Sequence, residues 1–202
     1  MWDTTRTRGA WIGLMMGLAI FIVNGAITAM NLWRIRVNAN LVERSHDLMS
    51  EIKLLRIRMI DAETGMRGYV IAEKSEFLQP YEKARAAVDP TLLRLTELTH
   101  ENPDQEKLQE VLNQQVASSL AHIQQCVALQ REGRHDQSVQ TIGTGEGKDR
   151  MDAIRKTLQQ MEESELQVLD VRDSDSRTAY QIALVSGILT SLFGMVPSAW
   201  PA

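Results

Sequence analysis

The sequence predicts an all-α protein: an antiparallel four-helix bundle flanked by two transmembrane helices. Three observations predict it. Two apolar stretches lie near the two ends of the chain, and the charged segment between them repeats its apolar residues at helical spacing. Nowhere does that segment alternate apolar and polar residues as a half-buried strand would.

The first apolar stretch, 10–33, carries no charged residue. At roughly 24 residues it exceeds the ~20 that cross a hydrocarbon core as a helix. Trp11 and Trp33 near its ends suit rings that settle at the headgroup boundary. The alternative is a cleaved signal sequence, but the run is too long and no clean small-x-small site follows it. The second stretch, 179–197, is diluted by Gln181, several hydroxyl residues and Pro197. Tyr180 and Trp200 flank it as interfacial rings would. Its alternative is a buried core helix. The expected organisation is a cytoplasmic N-terminus 1–9, a span 10–33, a helical domain 34–178, a span 179–197 and a cytoplasmic stub 198–202.

Within the middle domain the first helix is the most regular. Leu41, Ser45, Leu48, Ile52, Leu55, Met59, Ala62, Met66 and Tyr69 alternate three and four residues apart. That is an a/d seam of about four heptads. No proline or glycine separates it from the first span, so one rod to about Ala72 is expected, its soluble part about 55–60 Å long at 1.5 Å per residue. A second helix is marked by Phe77, Tyr81, Ala84, Val88, Leu92 and Leu95. Pro80 suits its first turn, and Pro90 should bend it or interrupt a hydrogen bond. Asn102-Pro103-Asp104 opens a third helix, with Asn as cap and Pro at the first helical position. Arg131-Glu132-Gly133 closes it. A short helix over 134–141 and a loosened stretch at Gly143, Gly145 and Gly147 precede the last helix. Its seam reads Met151, Ile154, Leu158, Met161, Glu165, Val168 and Arg172.

Composition narrows the function classes. Lys and Arg total 22 against 26 Asp and Glu, a mixed net charge of −4 without a basic block or aromatic platform, so nucleic acid is not an expected partner. Cys126 is the single cysteine and forms neither an internal disulfide nor a zinc site. It reads as a small apolar filler. His46, His100, His122 and His135 lack metal-ligand spacing and read as helix-surface residues. The run 143–148 departs from a phosphate loop at its first glycine and its last hydroxyl. Asp170, Asp173 and Asp175 lack the glycine and closing glutamate of a calcium loop. No cofactor or metal is expected, the ligand stays unnamed, and no catalytic constellation is legible.

The stretch 62–71 stands out. Glu63 and Arg67 are spaced for a helical ion pair, acid first, worth a few tenths of a kcal/mol when exposed. Gly65 and Gly68 each cost a helix about 1 kcal/mol relative to alanine, which implies close packing against a neighbour. With Glu165, Arg172 and Arg155 on the last helix, the expectation is that Glu63 and Arg67 pair with charges there and hold the two rods in register.

Asp61-Ala62-Glu63-Thr64-Gly65-Met66-Arg67-Gly68-Tyr69 resembles the E-T-G-x-R-G-Y signature of the CHASE sensory domain, type three. Phe77-Leu78 with Pro80-Tyr81 is similar to that family's F-L-x-P-Y segment, and Glu101-Asn102-Pro103-Asp104-Gln105 to its D-N-P-x-Q helix start. Gly143-Thr144-Gly145, Met151-Asp152-Ala153-Ile154-Arg155, and Glu162-Glu163 with Leu166 and Arg172 resemble its remaining elements. The resemblance covers roughly 38–178. It marks Glu63, Thr64, Gly65, Arg67, Gly68, Tyr69, Tyr81, Arg155 and Glu163 as signature or structural positions. Many members carry a glycine turn, L-L-T-G-D, after the tyrosine, where this chain reads Val70-Ile71-Ala72-Glu73-Lys74. A blunter turn or a longer helix is expected there.

The resemblance implies an all-helical extracytoplasmic input module of bacterial histidine kinases and diguanylate cyclases. It is not an enzyme, sits in the bacterial inner membrane as a multi-pass protein, and has its middle domain periplasmic or extracellular. Arg6 and Arg8 against Arg34 and Arg36 leave the charge rule undecided, so the orientation follows from the resemblance alone. The expected partners are a second copy, membrane lipid and a separate signalling output protein. The alternatives are a non-sensing membrane-anchored scaffold or regulator, or the N-terminal part of a sensor histidine kinase.

Overall fold

The computed structural model describes residues 4–195, and its elements follow one another as helices. They are α1 (Thr4–Ala72), a 3₁₀ turn (Ser75–Leu78), α2 (Gln79–Thr99), α3 (Pro103–Arg131), α4 (His135–Gly143) and α5 (Glu146–Met195). No strand occurs among the described residues. The chain divides into two units, Glu43–Val168 on one side and Met1–Val42 with Leu169–Ala202 on the other.

The unit Glu43–Val168 is the helical bundle. Its centre is the pair of seams the spacing marks. From α1, Leu48, Ile52, Leu55 and Met59 join Met151, Ile154, Leu158 and Met161 of α5 in one core cluster. Val88, Leu95 and Leu98 of α2 and Leu112 and Val116 of α3 complete it. Each is an aliphatic or thioether side chain with almost no water contact, and shortening one such Leu to Ala costs about 2–5 kcal/mol. Further along α1 a second cluster takes over: Ala62, Met66, Val70, Leu78, Tyr81, Ala84, Ile123, Cys126 and Val127. α5 contributes no residue to it. There Ile142 of the short α4 packs against the cluster, and Ser138 Oγ donates to the Cys126 carbonyl at 3.0 Å. Cys126 is buried as an apolar filler, and burial pushes its thiol pKa up.

Helix ends follow the local chemistry. The Asn102 side chain accepts from the Asp104 and Gln105 amides at 3.1 and 3.4 Å, with Pro103 opening α3 behind it. Gly133 takes φ +73 just past the end of α3, and Gly145 takes φ +82 just before α5, both values glycine adopts without strain. Pro90 does not break α2, which runs through it. The turn after α1 is not blunted. Glu73 adopts φ +56, and its amide donates to the Tyr69 carbonyl at 2.9 Å. Counted from Tyr69, Glu73 occupies the place of the glycine in L-L-T-G-D. The left-handed geometry is kept without the residue that makes it inexpensive.

In the other unit, one helix among the described residues is long and apolar enough to cross a membrane. It is Leu14–Arg34, of mean hydropathy 1.7 and with no part buried. α5 stays helical through the second apolar stretch as far as Met195. Many side chains of that stretch, and all of residues 196–202 with Pro197, Trp200 and the expected stub, lie outside the described residues.

Candidate functional site

The signature lies on α1 where the second core cluster begins. Gly65 is buried there, facing the first turn of α2. A methyl group on it would fall 2.6 Å from the Tyr81 backbone nitrogen and 3.2–3.3 Å from the β-carbons of Tyr81 and Pro80. No side chain fits, so this glycine sets the distance between α1 and α2. Gly68 differs: a methyl there would meet Phe77 at 3.5 Å, an ordinary contact. Only one of the two signature glycines is required by close approach. Tyr81 is buried, Tyr69 is half-buried against the same cluster, and Thr64 is exposed.

The signature charges do not reach α5. Arg67 pairs with Glu63 on its own helix at 2.7 Å. Arg155 pairs with Asp152 at 2.7 Å, and Glu163 accepts from Gln159 at 2.7 Å, again within α5. Hydrogen bonds from Lys148 and Arg155 hold the Asp152 carboxyl below the usual carboxylate range. The expected register pairing between Glu63, Arg67 and the last helix is therefore corrected. Arg155 is exposed on α5, and the Arg172 side chain is outside the described residues.

Other residues make that link. Arg56 of α1 donates to Glu162 of α5 at 2.8 Å, both partly buried. Ser45 Oγ donates to Glu165 Oε1, so the two polar interruptions of the two seams face each other. Gln105 of α3 joins them, its Nε2 donating to the Met161 carbonyl at 3.0 Å and lying 3.5 Å from Glu165 Oε2. Its Oε1 is buried without a hydrogen-bond partner. Arg44 adds a clamp to the end of α2, donating to the Leu98 carbonyl at 2.9 and 3.1 Å and pairing with Glu101. Ser45 and Glu165 were visible in the sequence as seam interruptions. Arg56 and Glu162 sit directly beside Leu55 and Met161, at the seam-flanking positions that carry interhelical pairs in coiled coils, and that signal could have found them.

His122 corrects the expectation of four surface histidines. It is 7 % exposed on α3, while His46 and His100 are exposed. Its ring packs on the first turn of α5, where a methyl on Gly147 would fall 3.2 Å from Nε2. Burial pulls its pKa down, Arg150 pulls the same way, and Glu146 and Glu63 oppose. The ring thus joins α3 to α5, with the signature acid Glu63 among the charges it feels. Among the described residues no group of three or more His, Cys, Asp or Glu side chains is placed to hold a metal ion.

One groove opens beside the signature. It runs between α2 and α3, holds about 670 Å³, and is walled by Tyr81, Arg85, Ala86 and Asp89 facing Gln124, Val127 and Ala128.

The signature stretch thus joins the first two helices of a helical bundle through a side-chain-free contact. The sequence matches the CHASE3 domain over residues 38–175, and the chain belongs to that family. A search of curated proteins gives no match. Among solved structures the fold is similar to the sensor domain of the histidine kinase HK9 from Rhodopseudomonas palustris, with a TM-score of 0.58 and 20 % identity over 61 % of this chain and 97 % of that one. The family makes residues 38–175 an extracytoplasmic sensor domain of the kind that feeds histidine kinases.

Proposed function

We propose that the protein is a homodimeric membrane receptor subunit in the bacterial inner membrane. Its bundle faces the periplasm or the exterior, and a stimulus shifts α1 against α5 by an ångström or two, a displacement passed through the membrane to an output protein. The observation that carries this reading is α1 itself: the apolar stretch Leu14–Arg34 and the buried seam from Ser45 to Met66 belong to one uninterrupted helix. A rigid helix transmits translation, which a flexible linker would absorb.

The return path is α5, one helix from the bundle core into the second apolar stretch. The homodimer is supported by Leu54, Ile57 and Ile60, which remain exposed on one side of α1. Apolar residues three apart on a helix are neighbours and suit a partner helix.

Two arms test the reading. A topology reporter fused after Ala202 should be active on the cytoplasmic side, and Ser50→Cys should react with a membrane-impermeant maleimide in intact cells. Buried Cys126 stays silent in that labelling. Ser50→Cys should also crosslink into a dimer at a rate that changes when periplasmic extract is added. A reporter on the outer side contradicts the two-span reading, and a crosslinking rate blind to every extract favours a static scaffold.

A further inference from the structure

The groove between α2 and α3 has a definite chemical origin. Ala86 and Ala128 are small residues of the two facing helices, and the space their side chains leave is bounded below by Tyr81 and Val127, both buried. Its volume of about 670 Å³ lies within the ~300–1,000 Å³ of small-molecule sites.

Its charges sort into those paired within the protein and those left to solvent. Arg131 pairs with Glu82 across the groove at 3.2 Å, and Glu132 pairs with Arg134 at 3.2 Å. Among the described residues, Arg85 and Asp89, both exposed, make no ion pair or hydrogen bond within the protein and stand one helical turn apart on the same wall. A further acceptor beside them lacks its usual helical donor. The Ala86 carbonyl should take the amide hydrogen of residue 90, but that residue is proline within a continuous helix and has none. The wall therefore offers a guanidinium, a carboxylate and a carbonyl oxygen within about one turn, and Gln124 faces them with an amide.

We propose that this groove is the stimulus site and takes a small zwitterion, an α-amino acid with an apolar side chain. Its carboxylate rests on Arg85 with Gln124 in support, its ammonium on Asp89 and the Ala86 carbonyl, and its side chain on Tyr81 and Val127. The inference rests on the sensory reading and names its ligand class. It also supplies a route inward. Tyr81 forms part of the groove, and its backbone nitrogen is the atom pressed against Gly65 of α1, so a ligand that moves the first turn of α2 moves α1.

The test is calorimetric titration of the full chain in nanodiscs with L-leucine and L-phenylalanine, against their deaminated analogues (4-methylpentanoate, 3-phenylpropanoate) and decarboxylated analogues (3-methylbutylamine, 2-phenylethylamine). At least one zwitterion should bind in the micromolar to millimolar range and each single-charge analogue at least tenfold more weakly. Arg85→Gln and Asp89→Asn should each weaken binding tenfold or more without changing the melting temperature. Ala128→Met, which fills the groove, should abolish it. No zwitterion binding at 10 mM, equal binding of a single-charge analogue, or indifference to Arg85→Gln overturns the proposal. The Ser50→Cys crosslinking rate separates the two readings. Zwitterion binding that leaves crosslinking unchanged keeps the groove and sinks the signalling role. An extract that changes crosslinking while no zwitterion binds sinks the groove alone.

Discussion

At the Tyr69 end of the bundle α1 meets α2 through a missing side chain, while at the Ser45 end it meets α3 and α5 through a buried carboxylate. The first contact is steric: Gly65 lets the Tyr81 backbone approach, and the nearby charges of Glu63 and Arg67 stay within α1. The second is polar: Glu165 is 7 % exposed and is held by Ser45 and Gln105 rather than by a basic residue. Steric contacts fix distance and tolerate little, whereas a buried polar layer fixes which residues face one another. The protein thus sets helix spacing at one end and helix register at the other.

The largest break in that contrast is expected from Gly65→Val. Overpacking costs about 1–3 kcal/mol, and more where, as here, the obstacle is backbone that cannot give way. It should appear as a marked drop in melting temperature with loss of the compact unit. An unchanged melt would mean that α1 and α2 do not approach as closely as described.

Next comes Ser45→Ala. It removes one donor from a buried carboxylate at a cost of about 1–3 kcal/mol. Adding Glu165→Met should restore most of the loss, because an apolar replacement of a buried charge is often neutral or better. If the double variant is no better than the single, the carboxylate is not the source of the cost.

Two substitutions at the steric end should stabilise, each by about 1 kcal/mol: Gly68→Ala through helix propensity, and Glu73→Gly through relief of a left-handed backbone. Thermal melts of both against Gly65→Ala, which should lose stability, test the claim that only one signature glycine is there for space.

The smallest effect is pH-dependent. His122 is held below its ordinary pKa of about 6.5 by burial and by Arg150. The unfolded chain therefore binds a proton that the folded chain resists. Stability is fully present above about pH 6.5 and falls as pH drops below it, the direction for a depressed pKa. His122→Gln should flatten the stability profile between pH 5 and 7, values set by the ordinary histidine range. An identical slope in the variant would show that another group carries it.

Much of the fold was legible because a helix writes its packing into its own spacing. The seams at Leu48–Met66 and Met151–Met161 are buried as their periodicity requires, and Asn102 caps α3 as its side chain allows. What escaped depends on register between segments far apart in the chain. Nothing local tells Arg56 that Glu162 lies opposite, or places His122 against Gly147. Likewise the spacing of Gly65 and Gly68 announces close packing, yet only the path of α2 decides which one needs it. The groove was invisible for the same reason, since Ala86 and Ala128 leave a space only once their helices are side by side.

The proposed signalling requires α1 to act as one stiff helix from the apolar span into the core. Spin labels at Arg36→Cys and Ser50→Cys, on the full chain with Cys126 replaced by serine, measure this directly by pulsed dipolar spectroscopy. Fourteen residues of unbroken helix put their α-carbons about 21 Å apart, with a narrow distribution. A broad or shorter distribution would place a hinge between span and bundle, and displacement of α1 could not cross it.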